Sequence, residues 1–315
     1  MFRKRIPARQ LSAWLFAGMT PVLIQHLGGD SWVWVGVLGA TGGVLSAFLW
    51  RHEWEMNRWQ AALSLVYTII VIGTLLHRCD ESWPHGNSYP AVPLFILGLA
   101  AWSAQKGPSA AARVGTVLFW AVLIMYLIVF GAGVRNVQLQ WLVPHWTLPD
   151  ATGLLVFLIP CAAACMLQPE KKWSARLTMP VVFAVASALI TAGVMSVPVA
   201  QRVEDAFYEM TRSISLGGVA KRFEALISAG MTVGWFALIS LLLSICDVLI
   251  QRIFTGWGRT GVWFAAAAAA GWLLCGLHIP GWFLLAGGAL FWVAIPVLTQ
   301  GLGSIKKSKK SENNA

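Results

Sequence analysis

The side chains best suited to metal binding or acid–base chemistry gather in one short stretch of this 315-residue chain. His77 and His85 lie close in sequence to Asp80 and Glu81, and zinc accepts imidazole and carboxylate ligands. Their spacing matches no metal motif, so solvated loop residues are the better interpretation. The sequence therefore predicts no metal site, no cofactor and no catalytic constellation.

Ionisable residues are also rare inside the apolar segments. Glu224 and Asp247 fall near opposite ends of one segment, and His26 falls near the end of another. Proton-coupled carriers often place such groups at the middle of the bilayer, so this pattern disfavours a proton-driven transporter without excluding it. A membrane enzyme needs polar catalytic groups within reach of its substrate, so we expect no enzymatic activity.

The composition requires lipid as the solvent for most of the chain. Hydrophobic residues make up 57% and charged residues 11%, whereas soluble domains carry roughly 25% charged residues. The mean hydropathy is +0.67. A soluble protein of this size could not cover its surface with so few charges, so we expect an all-α polytopic membrane protein.

About ten apolar segments approach the length of roughly 20 residues that a spanning helix needs. They fall at about 10–29, 31–50, 61–77, 90–105, 113–134, 152–169, 178–199, 223–250, 260–277 and 281–301. With a cytoplasmic N-terminus, 17 of the 23 Lys and Arg residues fall on the cytoplasmic side. The six on the outer side are Arg78, Arg135, Arg202, Arg212, Lys221 and Arg222. This bias predicts cytoplasmic termini. The basic tail over 303–315 is too short and polar to fold, so we expect it to be disordered. The net charge of +10 therefore indicates topology rather than nucleic-acid binding.

Helix-breaking residues interrupt the first and the sixth apolar segments. Gly18 and Pro21 lie in the middle of the first, and Pro160 lies in the middle of the sixth. If the segments divide as five plus five, these two occupy corresponding positions, which is typical of discontinuous helices around a binding site. The ends of such half-helices could receive a carboxylate. Ordinary proline kinks are the alternative, and the sequence leaves both open.

A polar stretch, FYEMTRSISLGGVAKRFE at 207–224, precedes the eighth apolar segment. Apolar residues recur at helical spacing through its first half and just before it: Val203, Phe207, Met210 and Ile214. With charged residues between them, they predict a short amphipathic helix at the outer membrane interface, ended by Gly217 and Gly218.

The same stretch resembles the conserved region of the B subunits of spore germination receptors, the endospore germination permease family. The family pattern is an Arg-Ser-Ile-Ser/Thr string, a short spacer, and an Arg-[FVIL]-Glu-Ala string that leads into a membrane helix. The matching residues are Arg212, Ser213, Ile214, Ser215, Arg222, Phe223, Glu224 and Ala225. Two further stretches look like the family: Gln10, Leu11, Asp30 and Trp32 near the N-terminus, and Gly107, Ala112 and Arg113 near the fifth segment.

The resemblance implies the fold of the amino acid–polyamine–organocation superfamily. In this LeuT-type fold, one transmembrane domain over 1–302 holds two inverted five-helix repeats, at about 8–136 and about 150–302, with broken first and sixth helices. The resemblance implies a site for a small nutrient, typically an amino acid, between the first, third, sixth and eighth helices. It also implies assembly with an A-type membrane subunit and a C-type lipoprotein in the spore inner membrane.

Two sets of residues follow from this mapping. The implied ligand-binding residues are Gly18, Met19, Thr20, Pro21, Tyr67, Phe157, Leu158, Pro160, Thr232 and Trp235. Each could instead serve packing, and the Thr232 hydroxyl could bond to a carbonyl of its own helix. The structural motif is Arg212, Ser213, Arg222 and Glu224. We expect Glu224 to pair with Arg222 or Arg212 at the start of the eighth helix.

Three roles stay open at this point, and all of them involve binding rather than chemistry. The first is a ligand-binding subunit of a germinant receptor, which senses a nutrient and signals to partner subunits. The second is a secondary transporter of amino acids or related small solutes. The third is a structural or assembly role with a degenerate pocket.

Overall fold

The computed structural model describes residues 6–26, 32–50, 54, 56–81, 90–142, 151–167, 170, 178–200, 202–203, 206–213, 223–254 and 260–299. All regular elements in these ranges are helical, as the composition predicted. Thirteen α-helices are numbered here in chain order: α1 Ala8–His26, α2 Trp32–Trp50, α3 Arg58–Glu81, α4 Ala91–Gln105, α5 Pro108–Val134, α6 Ala151–Val156, α7 Ile159–Leu167, α8 Met179–Met195, α9 Val197–Ala200, α10 Ala206–Ser213, α11 Phe223–Ile253, α12 Gly261–Leu274 and α13 Gly281–Gly288. A 3-10 turn covers Leu139–Trp141, and a π-helical turn over Ala289–Ala294 directly continues α13.

Five helical stretches in the described residues are long and apolar enough to cross a membrane: Val33–Trp50, Arg58–Glu81, Pro108–Val134, Ala225–Ile253 and Gly281–Thr299. Four shorter apolar helical stretches accompany them: Ala91–Gln105, Gly153–Leu167, Met179–Met195 and Gly261–Leu274. Large apolar side chains are exposed along one stripe of α5, at Val117, Trp120, Ile124 and Leu127. Lipid is the medium that can cover such a stripe, so the chain is an integral membrane protein.

Helix α11 is the central element of the fold. Its 31 residues include no proline and are predominantly apolar, so nothing in the sequence interrupts the helix. It contacts α1, α3, α4, α5 and α12. In an apolar 18-residue stretch of Ala225–Ile253, 89% of the residues are buried, against 22% in the corresponding stretch of Gly281–Thr299. A helix that is apolar on all sides and enclosed by its neighbours is the expected centre of a bundle.

The predicted break in the first span is wrong, because α1 continues through Gly18 and Pro21 without interruption. Proline removes one backbone donor and crowds the preceding turn, yet membrane helices tolerate it when neighbouring elements support the helix. Here α5, α8 and α11 all contact α1. The helix breakers of the first span therefore occupy an enclosed, continuous helix.

The predicted interruption of the sixth span is confirmed. Helix α6 ends at Val156, a turn covers Phe157 and Leu158, and α7 begins at Ile159. Pro160 is the second residue of α7. The N–H groups of the first turn of a helix have no partner within the helix, so the absence of an N–H at this proline costs no helical hydrogen bond. The proline thus begins a new helix just after the turn.

The predicted amphipathic helix is present as α10. Its apolar side chains Phe207 and Met210 are buried, and α10 contacts α1, α8 and α11. The glycines expected to end it, Gly217 and Gly218, lie outside the described residues. The apolar face of α10 is therefore held against the helical bundle.

Candidate functional site

The ten predicted ligand-binding residues divide into two groups in the structure. Six lie on the two helices of what we call the seam, the contact between α1 and α11: Gly18, Met19, Thr20, Pro21, Thr232 and Trp235. Four contribute to what we call the junction, where the α6–α7 turn meets α3 and α13: Tyr67, Phe157, Leu158 and Pro160. The structure therefore offers two candidate locations rather than one.

The seam is closed by two glycines that face the opposite helix. A Cβ atom added at Gly18 would lie 2.9 Å from the backbone nitrogen of Leu238, a separation that real Cβ atoms do not adopt. A Cβ atom added at Gly234 would overlap the ring of Pro21. Small residues let membrane helices approach closely and gain dispersion contacts, which largely replace the hydrophobic effect inside lipid. Gly18 and Pro21 thus pack directly against α11.

A buried tryptophan fastens the same seam. The indole Nε1 of Trp14 donates to the carbonyl oxygen of Ala237 at 2.9 Å and lies 3.2 Å from Oγ of Ser240. Trp14 is 1% exposed. An indole N–H without a partner is costly in an apolar interior, so these bonds fix the position of α1 along α11.

The polar residues predicted at the seam differ in how their hydroxyls are used. Thr232 donates to the Ser228 carbonyl oxygen at 2.8 Å, as the packing alternative predicted. Thr20 is fully buried, and its hydroxyl has no hydrogen-bond partner among the described residues. Met19 and Trp235 are buried core residues. The hydroxyls of Thr232 and Thr20 therefore differ, because Thr232 bonds to its own helix and Thr20 bonds to no described residue.

The junction forms around Gly288 at the end of α13. A Cβ atom added there would lie 3.0 Å from the terminal methyl carbons of Leu155 and Leu158 and 3.1 Å from the Tyr67 hydroxyl. Three elements, α3, α13 and the interrupted sixth span, therefore converge on one glycine. On the other side, the Phe157 carbonyl oxygen would lie 3.1 Å from a Cβ atom added at Gly42 of α2.

Tyr67 links α3 to the last span through both its ring and its hydroxyl. The hydroxyl donates to the Leu284 carbonyl oxygen. The ring stacks on Phe291, with centroids 5.3 Å apart, and meets the ring of Trp292 edge-on at 5.1 Å. Aromatic pairs at these separations contribute beyond their buried area, so Tyr67 holds the last span in place.

The sequence analysis missed the π-helical turn over Ala289–Ala294. Trp292 lies within it, is fully buried, and has its indole nitrogen 3.4 Å from Oγ1 of Thr68. Such turns are rare and occur frequently at functional sites. The pair Gly287–Gly288 just before the turn was the available signal, because adjacent glycines weaken a helix.

The histidine and acid group of the sequence analysis is partly helical rather than a loop. His77, Asp80 and Glu81 belong to the last turns of α3, where His77 Nε2 lies 3.4 Å from Glu81 Oε1 and Arg78 donates to Glu81 at 3.1 Å. Pairs three and four residues apart support a helix end, which explains why α3 extends beyond its predicted boundary. The ring of His77 also meets the ring of His278 edge-on at 5.6 Å. His85 lies outside the described residues.

The structural motif is described only in part. Arg212 donates to Glu209 at 2.9 Å within α10, and Ser213 donates to the Met210 carbonyl oxygen at 2.7 Å. Arg222 and the side chain of Glu224 lie outside the described residues. The predicted pairing of Glu224 therefore stays a prediction.

Among the described residues, apolar grooves open on the surface in two places, and neither groove is lined by a predicted ligand-binding residue. One lies between α2 and α8, and the other lies between α4 and α5. The ligand-binding role of the ten predicted residues stays a prediction. No known family model matches the sequence, and no curated protein matches it significantly.

Proposed function

We propose that the chain is the ligand-binding membrane subunit of a spore germinant receptor, and that it binds a small neutral or zwitterionic solute at the junction. The binding proposal rests on the turn at Phe157–Leu158, which interrupts the sixth span. This turn lies beside Tyr67 of α3 and beside Gly288, where α13 continues into the π-helical turn. Non-helical backbone at membrane depth persists only where protein encloses it or where it lines a cavity.

The chemistry of the junction favours a solute without net charge. Leu155, Leu158 and Phe291 are apolar, and Tyr67 supplies a hydroxyl. The start of α7 offers the partial positive charge of a helix N-terminus to a carboxylate. An amino acid combines these features, because it carries a carboxylate, an ammonium group and a side chain of variable polarity.

The two irregular helices also provide a way to transmit binding. A π-helical turn holds one residue more than an α-helical turn, so its return to α-helix would move Phe291 and Trp292 relative to Tyr67. A ligand shifts such an equilibrium only by its difference in affinity for the two arrangements. Ligand binding at the junction would therefore change the conformation of the last span, Gly281–Thr299.

The proposed membrane topology has ten spans in two inverted repeats, with both termini in the cytoplasm. Contacts between spans support alternating directions: Gly18 lies against Leu238, whereas Pro21 lies against Gly234, so α1 and α11 are antiparallel. The charge bias of the sequence supports the cytoplasmic termini. A LeuT-type fold has two interrupted spans, whereas α1 is continuous here. We therefore propose a variant of that fold in which only the sixth span is interrupted.

The receptor role rests on the resemblance at 212–225 and near the N-terminus. It implies an A-type membrane subunit and a C-type lipoprotein as partners, in the spore inner membrane. Deleting the gene in its native spore former and testing germination on a nutrient panel addresses this role. Loss of the response to one nutrient class would support it, whereas unchanged responses in a strain without paralogues would refute it.

Ligand binding is tested directly with the purified protein in detergent. We expect at least one member of an amino-acid panel to raise the thermal unfolding temperature. Leu158→Trp, which crowds the junction, should abolish that rise, and Leu63→Trp on the exposed face of α3 should preserve it. No rise with any solute, or a rise that Leu158→Trp leaves intact, would refute binding at the junction.

Secondary transport of amino acids is the alternative function, because the same interrupted span is typical of transporters. Counterflow in proteoliposomes separates the two. Saturable flux by the isolated chain would favour the transporter. Binding without flux would favour the receptor.

A further inference from the structure

The groove between α4 and α5 is lined almost wholly by apolar atoms and ends beside an exposed lysine. Its volume is about 340 Å³, near the lower end of the roughly 300–1,000 Å³ of small-molecule sites. Apolar side chains line most of it: Leu99 and Trp102 from α4, Ala110 and Val114 from α5, and Phe236 from α11. Ser103 and Lys106 complete the lining on the side where α4 ends.

The end of the groove beside Lys106 has the character of a membrane–water boundary. Lys106 follows the last residue of α4, and its ammonium nitrogen lies 5.8 Å from the ring centroid of Trp102. Tryptophan and lysine are the residues that accumulate at the level of lipid headgroups. Leu99 lies seven residues before Lys106, so the groove extends about 10 Å along α4 toward the bilayer interior.

We propose that this groove binds an anionic phospholipid, with one acyl chain against Phe236 and the headgroup phosphate at Lys106. The apolar walls fit a hydrocarbon chain, and the exposed ammonium group of Lys106 beside the groove fits a phosphate. Lys106 selects an acidic headgroup over a zwitterionic one, because the choline or ethanolamine cation of a zwitterionic lipid is repelled by the lysine. This inference does not rest on the proposed germinant function.

The groove between α2 and α8 provides an internal comparison. It is larger, about 600 Å³, and is lined by side chains such as Val44, Phe48 and Val182. Its lining includes no basic residue among the described ones. A lipid chain can fill it, but none of its described lining residues selects a headgroup. Among the described residues that line the two grooves, Lys106 is therefore the one that can select an anionic headgroup.

The position of the α4–α5 groove also links lipid to the centre of the fold. Phe236 belongs to α11 and is the residue after Trp235. An acyl chain in the groove would contact α4, α5 and α11 together. Bound anionic lipid should therefore stabilise the contacts of α11 with both helices.

The test is native mass spectrometry of the full chain, released from micelles that contain equal amounts of phosphatidylglycerol and phosphatidylcholine with matched acyl chains. We expect the wild-type protein to retain phosphatidylglycerol preferentially. One lysine near a lipid surface contributes a factor of about five in affinity, so Lys106→Gln should weaken phosphatidylglycerol retention about fivefold. Arg58→Gln, at an exposed arginine that begins α3, is the matched control and should have no effect.

A second variant tests the groove rather than the charge. Ala110→Phe places a ring in the groove and should reduce retention of phosphatidylglycerol although Lys106 is intact. Equal retention of both lipids by the wild-type protein would overturn the proposal. Wild-type retention by Lys106→Gln would overturn it as well, since Lys106 is exposed and its loss leaves the packing unchanged.

Discussion

The seam and the junction are both closely packed around glycines, since an added Cβ at Gly287 would lie 2.5 Å from the Tyr67 ring, but their backbones differ in regularity. At the seam, two continuous helices meet through glycines, and Gly18 leaves no room for even one added carbon against Leu238. At the junction, an interrupted span and a π-helical turn meet around Tyr67. Protein interiors at close-packed density transmit strain rather than absorb it. The comparison indicates that the seam is the rigid frame and that the junction is where rearrangement is cheapest.

The largest expected effect tests the rigidity of the seam. Gly18→Ala inserts a methyl group against the backbone of α11, and overpacking of this kind costs about 1–3 kcal/mol. We expect a clear fall in the thermal unfolding temperature of the purified protein.

The matched control for this prediction is Gly98→Ala in α4. An added Cβ there meets nothing within 4 Å, and alanine favours a helix over glycine by about 0.5–1 kcal/mol. Gly98→Ala should therefore leave stability unchanged or raise it. Equal falls for both variants would show that the seam is no tighter than the surface.

A smaller effect is expected at the tryptophan of the seam. Trp14→Phe removes the indole donor to Ala237 and Ser240, and buried hydrogen bonds between membrane helices contribute about 1 kcal/mol. Thermal unfolding in detergent measures the loss. Trp120→Phe, on the exposed stripe of α5, is the control and should be neutral. If both substitutions proved neutral, the bonds would not hold α1 in register.

How much the sequence could predict differs between the two regions. The helices and the interruption near Pro160 follow from apolar length and from the chemistry of proline. The continuity of α1 could not be predicted, because Gly18 and Pro21 are typical both of a broken helix and of a continuous helix that packs closely against a neighbour. Only the contacts of Gly18 with Leu238 and of Pro21 with Gly234 distinguish the two. The role of Tyr67 depends on contacts with residues more than 200 positions away, such as Leu284. The π-helical turn depends on the same distant contacts, and the adjacent Gly287 and Gly288 indicate only that the helix is weak there.

The junction should respond in function more than in stability. Tyr67→Phe removes the hydroxyl bonded to Leu284 and keeps the ring stacked on Phe291, so the loss of stability should stay below about 1 kcal/mol. We expect the affinity for the solute found in the thermal screen to change several-fold. Titration of that solute measures it, and unchanged affinity would remove Tyr67 from the proposed site.

The smallest effect is expected outside both regions. Arg212 and Glu209 form an exposed pair at 2.9 Å within α10, and such pairs contribute about 0.3–0.5 kcal/mol. Arg212→Gln should therefore leave stability almost unchanged, as should the control Arg135→Gln. If the motif serves assembly, Arg212→Gln alone should reduce recovery of partner subunits by affinity purification. Full recovery would show that Arg212 is dispensable for assembly.

Amide hydrogen exchange of the native protein in detergent tests the contrast between frame and junction most directly. Local opening is easiest where few backbone hydrogen bonds are regular, and exchange rates report that opening. We predict that peptides covering 154–162 and 284–294 exchange at least about tenfold faster than those covering 14–21 and 234–241. The bound solute should slow amide exchange only in the two junction peptides, 154–162 and 284–294. Equal protection in both regions, or slowing confined to the seam, would contradict the proposed site.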